Sequence, residues 1–167
     1  MKNWNKYSKE HYLFILGQGE KMLDETVNTM NSIQSRGRFQ LIFALSSLTF
    51  FFQDIIKESP SLQLELSLSF ISTLSVSALL SLMGVYKYRI WAKGTDPKEL
   101  MHNVFYNSYK EPKDAELNLI RNEAEQYSER IIANEAKNKK RLSYVTWSFF
   151  SLCASPVIAL IIYFLLA

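Results

Sequence analysis

At 167 residues the chain is the size of one ordinary domain, and its balanced overall hydropathy does not by itself separate a soluble from a membrane protein. A net charge of +3 gives no electrostatic ground for nucleic-acid binding, and a single cysteine, Cys153, excludes an intrachain disulfide or a thiolate metal cluster within one chain. What organises the sequence is distribution: three apolar blocks alternate with stretches that carry nearly all of the charge, a segregation rewarded by a hydrocarbon solvent and not by an aqueous one.

Residues 1–38 are largely polar, and their one apolar run, 12–16, is too short for the core of a signal peptide, so the expectation is an uncleaved protein. Within this segment Leu16, Leu23 and Met30 recur every seven residues, with Val27 and Ile33 between them. That spacing predicts an amphipathic helix able to run straight into the first apolar block. The block, 39–56, carries no charge before Asp54 and is just long enough to cross about 30 Å of hydrocarbon. Asp54, Lys57, Glu58 and Glu65 around Ser59 and Pro60 then predict a short acidic turn. The second block, 66–86, and the third, 145–167, contain no charged residue and meet the length of a span comfortably.

Between them, Asp96, Pro97 and Glu99 have the pattern of a helix start, followed by Leu100, Val104 and Phe105 at helical spacing. Pro112 opens a further helix in which Leu117, Ile120, Ala124, Tyr127 and Ile131 mark a heptad seam, continued in polar form by Asn134, Asn138 and Arg141. No breaker follows before Pro156, so one helix is expected from about Lys113 into the third span, roughly 75 Å long at about 1.5 Å per residue. The fold class expected is all-α: an integral membrane protein with three transmembrane helices and a cytoplasmic helical bundle or vestibule. Its parts are a cytoplasmic amphipathic helix at 1–38, two spans joined by a short outer turn at 39–86, a cytoplasmic helical region at 87–144 and a third span at 145–167.

Orientation follows from the basic residues that flank the spans. Arg36 and Arg38 precede the first, Lys87, Arg89 and Lys93 follow the second, and Lys137, Lys139, Lys140 and Arg141 precede the third. All three clusters are expected on the cytoplasmic side, which places the N-terminus inside and the C-terminus at the outer face.

Two features carry functional expectations. Ser69, Thr73, Ser77 and Ser81 recur every four residues along the second span, with Ser72, Ser75 and Gly84 nearby. Such a stripe serves either close helix packing, each hydroxyl bonding back to its own helix, or the lining of a hydrated, uncharged pore. Three spans enclose no pore alone, so conduction requires a homo-oligomer. The second feature is the run Lys87, Tyr88, Arg89, Ile90, Trp91, Ala92, Lys93, followed by His102, Phe105, Tyr106, Tyr109 and Lys110. Bases interleaved with aromatics suit either a membrane-interface belt or an anionic ligand whose phosphates pair with cations while its bases stack. Candidate ligand residues are Arg36, Arg38, Lys87, Arg89, Trp91 and Lys93.

Catalytic signatures are not found. Gly17 and Gly19 in LGQGEK lack the preceding strand and the lysine-hydroxyl pair of a phosphate loop. Glu123 with Glu125, and Glu129 with Glu135, read as solvated helix faces, and His11 and His102 stand without metal-ligand neighbours. The expectation is a protein without catalysis, cofactor or metal.

The amphipathic helix that leads through a basic patch into the first span (GEKMLDETVNTMNSIQSRGRFQLIFALSSLTFFF), the tight turn, the hydroxyl-rich second span and the long cytoplasmic helices resemble the small transmembrane effectors of bacterial anti-phage defence. The similar groups are the SLATT effectors, the transmembrane effectors of Pycsar and CBASS systems and the membrane effector of the Hailong system. The likeness is one of layout over roughly residues 10–140. It implies an oligomeric protein of the bacterial inner membrane, with a tetramer favoured, gated by a nucleotide or short oligonucleotide made by a partner enzyme and acting by depolarisation. The third span departs from the two-span pattern of these groups. A holin-like lysis protein or a structural membrane subunit shares the same layout.

Overall fold

A computed structural model of the chain describes residues 8–56, 61–86, 90–91 and 112–166, and these form three helices. Helix α1 is Lys9–Ile56, α2 is Ser61–Val85 and α3 is Pro112–Leu166, of 48, 25 and 55 residues. The expected turn at 57–60, the basic residues Lys87, Arg89 and Lys93, and the helix expected from Asp96 together with His102 and its aromatic neighbours lie outside the described residues.

Ser8 stands at the N-cap of α1, its hydroxyl 3.4 Å from His11 Nδ1. A hydrogen bond from Ser8 holds the Glu10 carboxyl below the usual carboxylate range, which favours the charged form where the helix dipole is positive. No proline follows, and the amphipathic segment and the first apolar block fuse into one helix, as their periodicity predicts. In α3 the proline occupies the first helical position, where a missing N–H costs no hydrogen bond. The helix then runs roughly 80 Å at about 1.5 Å per residue, with Pro156 inside it.

Each helix buries a line of residues spaced by alternating threes and fours. On α1 Leu23, Thr26, Ile33, Gly37 and Ala44 are buried, with Leu16, Met30 and Gln40 half-buried on the same line. On α3 the line is Tyr127, Ile131, Asn134, Asn138, Arg141, Val145, Ser148, Ser155 and Ala159. This is heptad spacing, and it continues well beyond Arg141, where the sequence reading ended it. On α2 the buried line is Ser67, Leu74, Ser77, Ala78, Ser81 and Gly84.

The chain divides into two compact units, one of residues 1–29 with 89–136 and the other of residues 30–88 with 137–167. The first has an ordinary apolar core of Leu23, Tyr127 and Ile131, with Leu16 packed against it. A Cβ on Gly19 would sit 3.2 Å from Tyr127 Cβ, so the glycine admits the ring to the backbone. Arg130 lies 3.6 Å from Glu123, 2.7 Å from Gln126 Oε1 and 5.6 Å from the Tyr127 ring centre. Glu123 is therefore half-buried in an ion pair and not on the solvated face expected for it, whereas Glu125, Glu129 and Glu135 are exposed.

The second unit has the reverse polarity. Its interior is mostly glycine, alanine and serine, with Ile33, Leu74, Asn138, Arg141 and Val145, while Phe39, Ile42, Phe43, Phe50, Leu79, Trp147, Phe150 and Phe164 are exposed. Water-soluble domains place such side chains the other way round. The small residues let the helices approach closely: a Cβ on Gly84 would lie 2.7 Å from Val145 Cγ2, and one on Gly37 would lie 2.8 Å from Val85 Cγ2.

Candidate functional site

The hydroxyl stripe of α2 faces a second stripe on α3. Thr73 Oγ1 is 2.7 Å from Ser155 Oγ, and the Ser151 hydroxyl donates to the Thr73 carbonyl at 2.9 Å. Ser77 Oγ lies 2.8 Å and Ser81 Oγ 2.6 Å from Ser148 Oγ. Ser77 also donates to the Ser148 carbonyl at 3.1 Å, and Ser148 donates to the Ser77 carbonyl at 3.0 Å. A serine hydroxyl has one proton, so these contacts are alternatives: when Ser148 donates to the Ser77 carbonyl its oxygen is left to accept from Ser81 or Ser77, and the Ser77 proton goes either to Ser148 Oγ or to the Ser148 carbonyl, which makes Ser148 the hub of the seam. Ser77, Ser81 and Ser148 are completely buried. Ser69, at the far end of the stripe, is half-buried and bonds back to the Leu66 carbonyl of its own helix at 2.7 Å.

The three partners on α3 were not singled out from sequence, although their signal is the same one. Ser148, Ser151 and Ser155 recur at three and four residues, mirroring the α2 stripe. Chemically the seam is a dry interface between two helices whose hydroxyls satisfy one another. To face water, Ser77 and Ser81 would have to exchange Ser148 for solvent.

The polar end of the α3 seam has a different use. Asn134, fully buried, accepts a hydrogen bond from the Trp91 N–H at 3.1 Å and donates to the Trp91 carbonyl at 2.9 Å. Its amide also donates to Thr26 Oγ1 at 3.2 Å. The carboxamide thus grips the segment that follows α2 by both backbone groups of one residue. Arg141, also fully buried, donates from Nη2 to the Tyr86 carbonyl at 2.8 Å, a cation placed on the C-terminal end of α2. Read from sequence as part of a cytoplasmic basic cluster, Arg141 is an interior residue.

Of the expected ligand residues, Arg36, Arg38 and Trp91 are described, and all three are exposed. Trp91 belongs to one unit and the two arginines to the other. Arg36 stands on the rim of a cleft of about 830 Å³ between α1 and α3. Ser35, Phe39, Gln40 and Phe43 form one wall, and Leu142, Val145, Thr146, Phe149, Leu152 and Cys153 form the other. Among the described residues no three His, Cys, Asp or Glu side chains gather into a metal-binding group.

Fold and site together define an all-helical protein in which two helices, α2 over Gln63–Val85 and α3 within Glu116–Leu165, are long and apolar enough to cross a membrane. No family model, curated protein or solved structure matches the chain.

Proposed function

We propose that the chain is a three-span protein of the bacterial inner membrane that assembles into a homo-oligomeric pore and acts as a defence effector. The observation that carries this reading is the interlocked hydroxyl seam of Thr73, Ser77 and Ser81 against Ser148, Ser151 and Ser155, enclosed by an outward-facing aromatic and aliphatic surface. That surface suits lipid, and the exposed phenylalanines of α1 support reading its 39–56 stretch as the third span. The seam is the closed form. Opening separates α2 from α3 in each of several copies, four being favoured, and turns the uncharged hydroxyls toward a shared aqueous axis.

The control point in this reading is the segment after α2. Arg141 and Asn134 fasten it through Tyr86 and Trp91, and the basic run Lys87, Arg89 and Lys93 is positioned in sequence to receive a nucleotide-type signal made by a partner enzyme. A ligand that binds the released form more tightly shifts the chain toward opening. The layout shared with the defence effectors supports this role.

Membrane potential in bacteria expressing the chain, followed with a voltage-sensitive dye, tests the proposal. Ser148→Ala removes the hub of the seam at almost constant volume. A membrane hydroxyl bond contributes on the order of 1 kcal/mol, so opening should rise about fivefold and depolarisation should come earlier than with the native chain. Unchanged potential in both strains, with both proteins in the membrane fraction, would contradict a pore that opens without a partner's signal. One observation favours a second reading: Ser69, Thr73, Ser77 and Ser81 all have partners inside the chain, as a structural subunit with no conductance requires. That reading expects no leak from either chain.

A further inference from the structure

We propose that the cleft between α1 and α3 binds one anionic phospholipid of the inner leaflet, with its phosphate on Arg36 and an acyl chain along the apolar wall; this rests on the membrane reading above. Three observations fit that occupant together. The cleft is lined mostly by apolar side chains, with Gln40 and Thr146 among them, and its one charged residue, Arg36, lies with Ser35 at one end. From Leu142 to Cys153 it follows α3 for about 16 Å at about 1.5 Å per residue, which is half of a hydrocarbon core of roughly 30 Å and therefore one leaflet deep. Its cation sits at the end that the flanking basic residues assign to the cytoplasmic surface, where anionic headgroups lie.

Gln40 adds a specific contact. It lies one turn below Arg36, about 6 Å along the helix, on the same wall of the cleft. Its carboxamide Nε2 is a donor that can serve an ester carbonyl of a lipid whose phosphate sits on Arg36. A volume of about 830 Å³ falls within the range of roughly 300–1,000 Å³ typical of small-ligand sites. The lipid would brace α1 against α3 on a face separate from the hydroxyl seam, so its occupancy would bear on how readily α3 leaves α2.

Cys153, the only cysteine and exposed at the deep end of the cleft, is a built-in reporter. The full chain is delipidated in detergent micelles, and the rate of Cys153 alkylation by N-ethylmaleimide is followed as phosphatidylglycerol or phosphatidylcholine is added. Phosphatidylglycerol should slow alkylation at concentrations where phosphatidylcholine does not. Arg36→Gln should raise the half-protecting concentration about tenfold, the effect of one lost charge-assisted contact. Thr146→Trp, which fills the cleft from an exposed position, should lower the phosphatidylglycerol retained through purification as counted by mass spectrometry. Equal protection by both lipids and in Arg36→Gln would overturn the site. So would protection that rises with protein concentration and needs no lipid, which would put a second copy in the cleft. Retention in carbonate-washed membranes is scored on the same variants: its loss would overturn the membrane reading and the lipid site with it, whereas retention without lipid-dependent protection would overturn the lipid site alone.

Discussion

A single carboxamide holds both backbone groups of Trp91, in the segment that follows α2. Asn134 is buried beside Thr26 and satisfies both the N–H and the C=O of Trp91, a task that no apolar side chain of its size can perform. Replacing it with leucine keeps the volume and leaves the backbone groups of Trp91 to find other partners. At roughly 1–3 kcal/mol for a buried polar group without a bond, Asn134→Leu should free the segment and destabilise the local structure by about 2–3 kcal/mol. Hydrogen exchange reads this directly: the Trp91 amide should lose protection while amides in the middle of α2 keep theirs. Arg141 is the parallel case, with its guanidinium on the Tyr86 carbonyl. Arg141→Met should lower the thermal unfolding midpoint in micelles, whereas Lys139→Met and Lys140→Met, at exposed positions on the same helix, should leave it nearly unchanged.

The helices pack through residues too small to repel one another, and the contact is tight enough to test with one methyl group. Gly84→Ala would drive a Cβ to 2.7 Å from Val145 Cγ2, a branched side chain that is stiff about its first torsion and cannot swing aside. Overpacking of this kind costs on the order of 1–3 kcal/mol, and Val145→Ala in the same chain should recover most of it by opening the space. Gly17 is the control, because a Cβ there meets nothing within 4 Å and Gly17→Ala should be neutral or stabilising by up to about 1 kcal/mol. Thermal unfolding of the three variants and the native chain in the same detergent checks the ordering.

Much of this element structure was legible in the sequence. The fused first helix, the start at Pro112 and the line Tyr127, Ile131, Asn134, Asn138, Arg141 all follow from periodicity and capping, because alternating polar and apolar residues record a face. Inside the apolar blocks that contrast disappears. The seam on α3 goes on through Ser148, Ser155 and Ala159, marked only by small residues among large apolar ones and not by a charged or amide face. The partners of Asn134 and Arg141 were illegible for another reason: they are the backbone groups of Trp91 and Tyr86, which no side-chain letter encodes. The hydroxyl stripe of α2 was visible, but what it faces required the second helix.

At the scale of the whole molecule, the two units follow opposite rules. The unit built on Leu23, Tyr127 and Ile131 hides apolar groups, and the unit that contains the seam hides hydroxyls and displays phenylalanine and leucine. In the proposed membrane reading, the second kind of interior is the one suited to lipid. That arrangement gives the hydroxyl seam a cost of opening which only an aqueous axis shared among copies would offset, and it is why conduction and assembly belong to the same claim. The most direct test is ion efflux from liposomes that contain only the purified chain, native or Ser148→Ala, at increasing protein-to-lipid ratio. The account expects efflux to rise more steeply than in proportion to protein and to be about fivefold faster for Ser148→Ala. Liposomes that stay tight with both chains at every ratio would contradict it.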